Sequence, residues 1–255
     1  MTATSEFRQR MLSGEIMAGT FIKTAAYEMV EVLAMSGLDF ICLDGEHAPF
    51  DRARTDACLA LARALDFPVL VRVGSGSAEN ILQALDSGAV GVVVPHVDTV
   101  AKAEEIARAG RFGHGGRGYA GSTRWAGFAT RAMPDVMAQA SETVVIAQIE
   151  EPEGVDASAE IAAVDGIDGL FIGPADLTVA YGADAGAAAK LDAALEKVGN
   201  AAQAAGKAYM SFVPSADKAE AWRKYGMTVF FIASEQGFML TGAKEAAKGV
   251  HALKS

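Results

Sequence analysis

The residues able to do chemistry stand where apolar runs end. Asp44, Glu46 and His47 follow LDFICL, Arg72 closes VLVR, and Gln148 and Glu150 close TVVIAQIE. Asp176 comes just after GLFIGPA. Lys23 ends AGTFIK, His96 follows VGVVVP, and Ser211 lies within KAYMSFV. Two carboxylates at the ends of successive runs, Glu150 and Asp176, would repel each other unless a cation lay between them. With waters and a chelating substrate they form an oxygen site suited to Mg²⁺ or Mn²⁺, with Co²⁺ also compatible. Zinc would draw histidine or cysteine, and the four histidines are not spaced as a ligand set. The alternative for Asp176 is a helix cap after Pro174.

Arg72 at the end of a buried run needs an anion, either a protein carboxylate or a substrate, because an unpaired buried cation is costly. Its planar fork matches a carboxylate or an enolate oxygen. His47 titrates near neutrality and suits proton transfer, with Asp44 three residues earlier to orient a ring nitrogen. The plainer alternative is a capping aspartate and a loop histidine. Glu46 reads as a supporting group, since Glu150 and Asp176 are available as ligands, and His96 as a satisfied polar group beside the site. Lys23 has the type and place for a Schiff base with a carbonyl substrate, but that role would leave the Glu150–Asp176 pair without a task.

The elements that must position these groups are legible from periodicity. Eight short apolar runs, at 18–23, 38–44, 68–73, 90–95, 143–150, 169–173, 207–213 and 227–233, are continuous rather than alternating, as strands buried on both faces are. Alanine-rich segments of helical period separate them. Eight strands and about eight helices predict a (β/α)₈ TIM barrel filling residues 1–255 as one domain, with a doubly wound open sheet as the competitor. In a barrel the strand ends share one face, so the polar residues would converge there. The stretch 110–128 is too long and glycine-rich for an ordinary connector. Its Gly113, Gly115 and Gly118 match G-x-G-x-x-G without a strand before them, so the dinucleotide reading fails. A lid or binding loop is expected instead, with Arg117, Arg124 and Trp125 facing a ligand or a neighbouring subunit.

Composition narrows the partners. A chain of 255 residues that is 51% hydrophobic can build a large core. The net charge of −10 and the absence of a basic run argue against nucleic acid and anionic membranes. They do not exclude an anionic substrate, because a local cation outweighs distant screened charge. No apolar run reaches the roughly 18–20 residues of a membrane span, and the charged N-terminal segment lacks a signal-peptide core, so a cytoplasmic protein is expected. Cys42 and Cys58 read as buried thiols.

A divalent metal, a forked cation and a neutral base suit one chemistry well. A 2-oxo acid such as pyruvate can be held by the metal, its enolate stabilised by the metal and Arg72, and an aldehyde added to it; reversed, a 4-hydroxy-2-oxo acid is cleaved. LDGEHAPF, PVLVRVG, the QIE of VIAQIEEPEG and DGLFIGPADL, in order from about Gly19 onward, together resemble the HpcH/HpaI class II pyruvate aldolases. The resemblance implies Glu150 and Asp176 as metal ligands, Arg72 at the pyruvate carboxylate and enolate oxygen, and His47 with Asp44 in proton transfer. It further implies Gln148 hydrogen-bonding near the keto acid and the backbone of Gly173, Pro174 and Ala175 holding its carboxylate. RGYAGSTRW is similar to a family loop near the active site. A homo-oligomer is implied too, a hexamer with exchanged C-terminal helices, in which Asp86 of a neighbouring chain meets the active-site histidine. Phe21 and Phe212 are expected to narrow the acceptor pocket. The alternatives are a citrate-lyase-like acyl-CoA lyase, a Schiff-base aldolase using Lys23, and a non-catalytic barrel that binds oxo acids.

Overall fold

The computed structural model describes residues 2–182 and 185–254. Its strands are β1 (Met17–Ile22), β2 (Phe40–Asp44), β3 (Val69–Arg72), β4 (Gly91–Val94), β5 (Val144–Ile149), β6 (Gly169–Ile172), β7 (Ala208–Val213) and β8 (Val229–Ser234). Each pairs in parallel with the next, and β8 returns to β1, so the sheet closes into a barrel. The expected (β/α)₈ architecture is what the chain adopts, and the open sheet is not. Helix α1 (Ala3–Leu12) precedes β1; α2 (Tyr27–Ala34), α3 (Arg52–Ala64), α4 (Ala78–Asp86) and α5 (Val100–Ala109) follow β1 to β4 in turn. Helix α6 (Met133–Gln139) leads into β5, which α7 (Pro152–Asp156) and α8 (Ser158–Ala162) follow. After β6 come α9 (Pro174–Ala180) and α10 (Ala187–Ala204), after β7 comes α11 (Ala216–Trp222), and after β8 comes α12 (Glu235–His251).

Strand residues alternate between two cores, because successive side chains point to opposite faces. Ile41 and Leu43, Val69 and Val71, and Val145 and Ala147 pack outward against the helices. Phe21, Cys42, Leu70, Ile146, Phe171, Met210 and Phe231 fill the barrel interior, closed at its N-terminal end by Phe7 and Met11 of α1. Gly19 leaves room for this filling, since a Cβ there would lie 2.3 Å from the Phe40 ring. Counting two residues beyond Phe21, Cys42, Leu70, Ile146 and Met210 reaches Lys23, Asp44, Arg72, Gln148 and Phe212. The alternation that fills the barrel therefore aims the polar residues into its C-terminal mouth.

The N-terminal end is tied by charge. Buried Asp168 accepts from Arg8 and Arg111 and from the backbone N–H of Val145. The glycine-rich stretch corrects an expectation, because it belongs to this end. Helix α4 runs back from the mouth, so Asp86, its last residue, lies far from it. The Trp125 N–H donates to the Asp86 carbonyl at 3.2 Å, and Arg117 Nη2 pairs with Asp86 Oδ1 at 2.6 Å. Arg117 is buried, its guanidinium 4.7 Å from the Phe112 ring centroid and 5.2 Å from that of Trp125. Arg124 pairs with Asp56 at 2.8 Å. These residues hold the loop against the chain's own helices, so it is no lid over the chain's own mouth.

Candidate active site

The mouth is organised around Asp44, whose side chain is fully buried. Arg72 grips it side-on, Nε to Oδ1 at 3.0 Å and Nη2 to Oδ2 at 2.8 Å. Lys23 Nζ reaches the same Oδ2 at 2.7 Å. Burial alone would raise the Asp44 pKa, but the Arg72 fork, with Lys23 and the His47 N–H adding to it, holds it at about 2. Arg72 is correspondingly raised, its own burial penalty outweighed by Asp44. The ring of Phe21, two residues before Lys23, lies 4.5 Å from the guanidinium carbon. Phe21 thus forms the floor under Arg72 rather than a wall of the acceptor pocket, and only Phe212, 37% exposed, stands at the rim.

This arrangement changes the reading of the Asp44–His47 pair. Asp44 Oδ1 accepts from the backbone N–H of His47 at 3.0 Å and of Glu46 at 3.3 Å, shaping the turn after β2. The carboxylate is saturated by Arg72, Lys23 and these N–H groups, so it sets the His47 backbone and not its ring. The imidazole is 58% exposed, with Nε2 3.8 Å from Glu46 Oε2. Gly45 allows the turn, since a Cβ there would meet the Arg72 carbonyl at 2.7 Å.

The second half of the mouth is acidic. Glu150 is buried at the end of β5. Its Oε2 accepts from Gln148 Nε2 at 2.5 Å and its Oε1 from the His96 N–H at 2.8 Å. His96 adopts the left-handed backbone conformation, φ 58°, uncommon for a residue other than glycine, and that turn aims its N–H at Glu150. The His96 ring meets three carboxylates, with Nδ1 2.5 Å from Glu151 and 3.2 Å from Glu150, and Nε2 3.4 Å from Glu46. Burial favours the neutral imidazole, but Glu151, Glu150 and Glu46 together raise its pKa. Burial also raises Glu150; Gln148 and His96 offset this in part, and Glu46 adds to it.

Glu46, His96 and Glu150 bring one ligand atom each within 4.8 Å of one another. Glu46 Oε2 and Gln148 Oε1 are buried without a hydrogen-bond partner. Two largely buried carboxylates beside an exposed imidazole, with oxygens unspent, fit a divalent cation. Asp176 is not one of these three; it is exposed in the first turn of α9, beyond Pro174 and the exposed Ala175. Gly173 at that turn is required by Glu150, because a Cβ would sit 2.7 Å from the Glu150 Cβ. Ser211 bonds the Ile172 carbonyl on the outer side of the sheet and takes no part in the mouth.

Sequence reasoning underrated Glu46 and His96 and missed Glu235. The signal for Glu46 was the inward register of Cys42 and Asp44, which it continues. Glu235 is buried and accepts from the Lys23 N–H at 3.0 Å and the Thr24 N–H at 2.6 Å, a contact across more than two hundred residues with no local signature.

Comparison with known proteins finds relatives over most of the chain. The HpcH/HpaI aldolase/citrate lyase family profile matches residues 17–241. A hydroxypyruvate/pyruvate aldolase of Roseovarius nubinhibens is 34% identical over 209 residues, 80% of this chain and 81% of that protein. A 4-hydroxy-2-oxovalerate aldolase of Novosphingobium aromaticivorans is 36% identical, over 71% of this chain and 69% of that one. A crystal structure of an HpcH/HpaI aldolase/citrate lyase family protein from Burkholderia cenocepacia J2315 superposes with a TM-score of 0.91 at 29% identity, covering 97% of this chain and 99% of that one.

Proposed function

The chain belongs to the HpcH/HpaI aldolase/citrate lyase family, and on that premise we propose that it is a divalent-metal-dependent pyruvate aldolase. It would cleave 4-hydroxy-2-oxo acids reversibly to pyruvate and an aldehyde. The observation that carries this reading is the mouth itself, where a buried guanidinium stands beside the Glu46–His96–Glu150 cluster, Arg72 Nε lying 3.4 Å from Glu46 Oε2.

Glu150 with Asp176 would hold the metal, Mg²⁺, Mn²⁺ or Co²⁺, with Glu46 and His96 flanking it. When bound, the metal supplies Lewis-acid polarisation of the oxo acid. Arg72 spends Nε and Nη2 on Asp44, so its third nitrogen, Nη1, is left to meet the pyruvate carboxylate and the oxygen that becomes negative as the enolate forms. Because Asp44 and the Phe21 ring fix the guanidinium, little ordering remains to be done when substrate arrives. The unspent Gln148 Oε1 and the backbone of Gly173, Pro174 and Ala175 would orient the keto acid. His47, exposed at the rim, would take the C4-hydroxyl proton in cleavage and return it in addition. Phe212 would pack against the acceptor.

The same reading gives a homo-oligomer, a hexamer by family resemblance. Helix α12 leaves Phe238, Met239 and Leu240 bare within one chain, as a helix exchanged between copies would. Asp86, remote from its own mouth, would then serve the histidine of a neighbour. Pyruvate and aldehydes are the partners. Among the described residues no helix is long and apolar enough to cross a membrane.

The test is pyruvate release from a panel of 4-hydroxy-2-oxo acids, abolished by EDTA and restored by Mg²⁺, Mn²⁺ or Co²⁺. Full activity in chelator with borohydride trapping at Lys23 would establish the Schiff-base route instead. The structure speaks against that route, since the Lys23 ammonium is engaged by Asp44 rather than free as a nucleophile. Cleavage of a CoA thioester in place of oxo acids would overturn the substrate class.

A further inference from the structure

Lys23 has no task in the reaction just described, yet the fold places it with care. Buried Glu235, opening α12, accepts the Lys23 N–H through both oxygens at 3.0 Å and the Thr24 N–H at 2.6 Å. The exit of β1 is therefore pinned by a carboxylate brought from the last strand–helix junction. The inward register of Gly19 and Phe21 then carries the Lys23 side chain into the mouth, where it remains about one-third exposed. Nζ and Arg72 Nη2 bond the same Asp44 oxygen, at 2.7 and 2.8 Å. The two cations thus lie no farther apart than those two distances allow and share the Asp44 carboxylate, while Arg72 Nε also has Glu46 Oε2 at 3.4 Å. Arg72 therefore has a second carboxylate, whereas the Lys23 side chain among the described residues has Asp44 alone. An ammonium has three donors, and Asp44 is the one ion-pair partner of Lys23 among the described residues, so the side chain has donors to offer a ligand.

We propose that Lys23 is a specificity residue that selects acceptor aldehydes bearing a carboxylate over uncharged ones. The inference rests on the aldolase reading. The enolate side of the mouth is furnished by Arg72, Gln148 and Glu150. Lys23 follows β1 and shares the Asp44 carboxylate with the His47 N–H, on the side where His47 would meet the acceptor oxygen. A carboxylate on the acceptor supplies a second anion for the Lys23 ammonium, whose remaining donors would meet it. Phe212, also at the rim, offers an uncharged aldehyde only apolar contact.

The experiment compares glyoxylate with acetaldehyde as acceptors for pyruvate in the metal-loaded enzyme, for wild type, Lys23→Met and Lys23→Arg. The expected result is that Lys23→Met lowers the glyoxylate-to-acetaldehyde ratio of kcat/KM by about tenfold to a hundredfold, the loss of one charged hydrogen bond. Most of that loss falls on the glyoxylate KM, and Lys23→Arg keeps the ratio within about threefold of wild type. A ratio unchanged within about twofold in Lys23→Met, or an equal fall in Lys23→Arg, overturns the assignment. Should the variants misfold, wild type alone decides: rising ionic strength should raise the KM for glyoxylate and leave that for acetaldehyde, and equal salt responses overturn the proposal. A wild type that releases or condenses no pyruvate refutes the aldolase reading itself, a different outcome from an active enzyme indifferent to acceptor charge.

Discussion

Asp44→Asn removes the negative charge on which the mouth is built while keeping nearly the same shape. The Asp44 pKa is displaced from 3.8 to about 2. By linkage that displacement corresponds to about 2 kcal/mol favouring the folded carboxylate. Asparagine also leaves the buried Arg72 facing Lys23 with only Glu46, 3.4 Å from Nε, as counter-charge, and breaking a buried pair typically costs about 3–5 kcal/mol. Lys23 is one-third exposed and adds little to this because solvent screens it. The expected destabilisation is therefore about 2–4 kcal/mol near neutral pH, read as a lowered urea midpoint with an unchanged slope. Its sign with pH follows from the depressed pKa. The advantage of wild type is fully present above the unfolded value of 3.8 and is lost as pH falls through about 2. The gap between wild type and Asp44→Asn should then be constant above about pH 5 and narrow below it. In a double-mutant cycle, Asp44→Asn and Arg72→Met should cost less together than the sum of the two, because either alone orphans the other. A cost below about 0.5 kcal/mol, as for an ordinary surface site, or strict additivity with Arg72→Met, would refute the idea that this ion pair organises the mouth.

Two further substitutions probe the other half of the site. Gly173→Ala places a Cβ 2.7 Å from the Glu150 Cβ. Glu150 should shift, with weakened Mn²⁺ binding by titration calorimetry and a stability loss of about 1–3 kcal/mol from overpacking. His47→Asn should slow cleavage of a 4-hydroxy-2-oxo acid by about 10²–10⁴-fold, the usual worth of a positioned acid–base group. Pyruvate binding measured by calorimetry should persist in that variant, and an unimpaired rate would remove His47 from the proton path.

Much of the fold was legible in the chain because a parallel barrel repeats one simple pattern. Each of the eight apolar runs became a strand whose ends lie within two residues of those of the run. The convergence of Asp44, Arg72, Gln148 and Glu150 was likewise readable, since strand ends in a closed barrel share one face and alternate residues share one side. Partner choice was not readable. Arg72 was open to a protein or a substrate anion, and the Asp44 fork supplies a protein counter-charge through Nε and Nη2. Asp44 reads as orienting the ring of His47, three residues away, yet its carboxylate takes the His47 backbone N–H, Lys23 just after β1 and Arg72 on β3. The stretch 110–128 looked like a lid because glycine and arginine content records neither direction nor destination. Only the course of α4 reveals that it packs at the far end.

The sequence by itself determined the barrel and the set of groups at its mouth, because hydrophobic period and strand alternation are local properties of the chain. The tertiary structure alone decided which charges meet. Asp44 lies between Arg72 and Lys23, His96 among Glu46, Glu150 and Glu151, and Glu235 beneath the backbone of Lys23. Burial makes an unpaired charge costly, so each buried group must find a partner, but that partner is set by distance in space after closure, and separation along the chain carries no record of it.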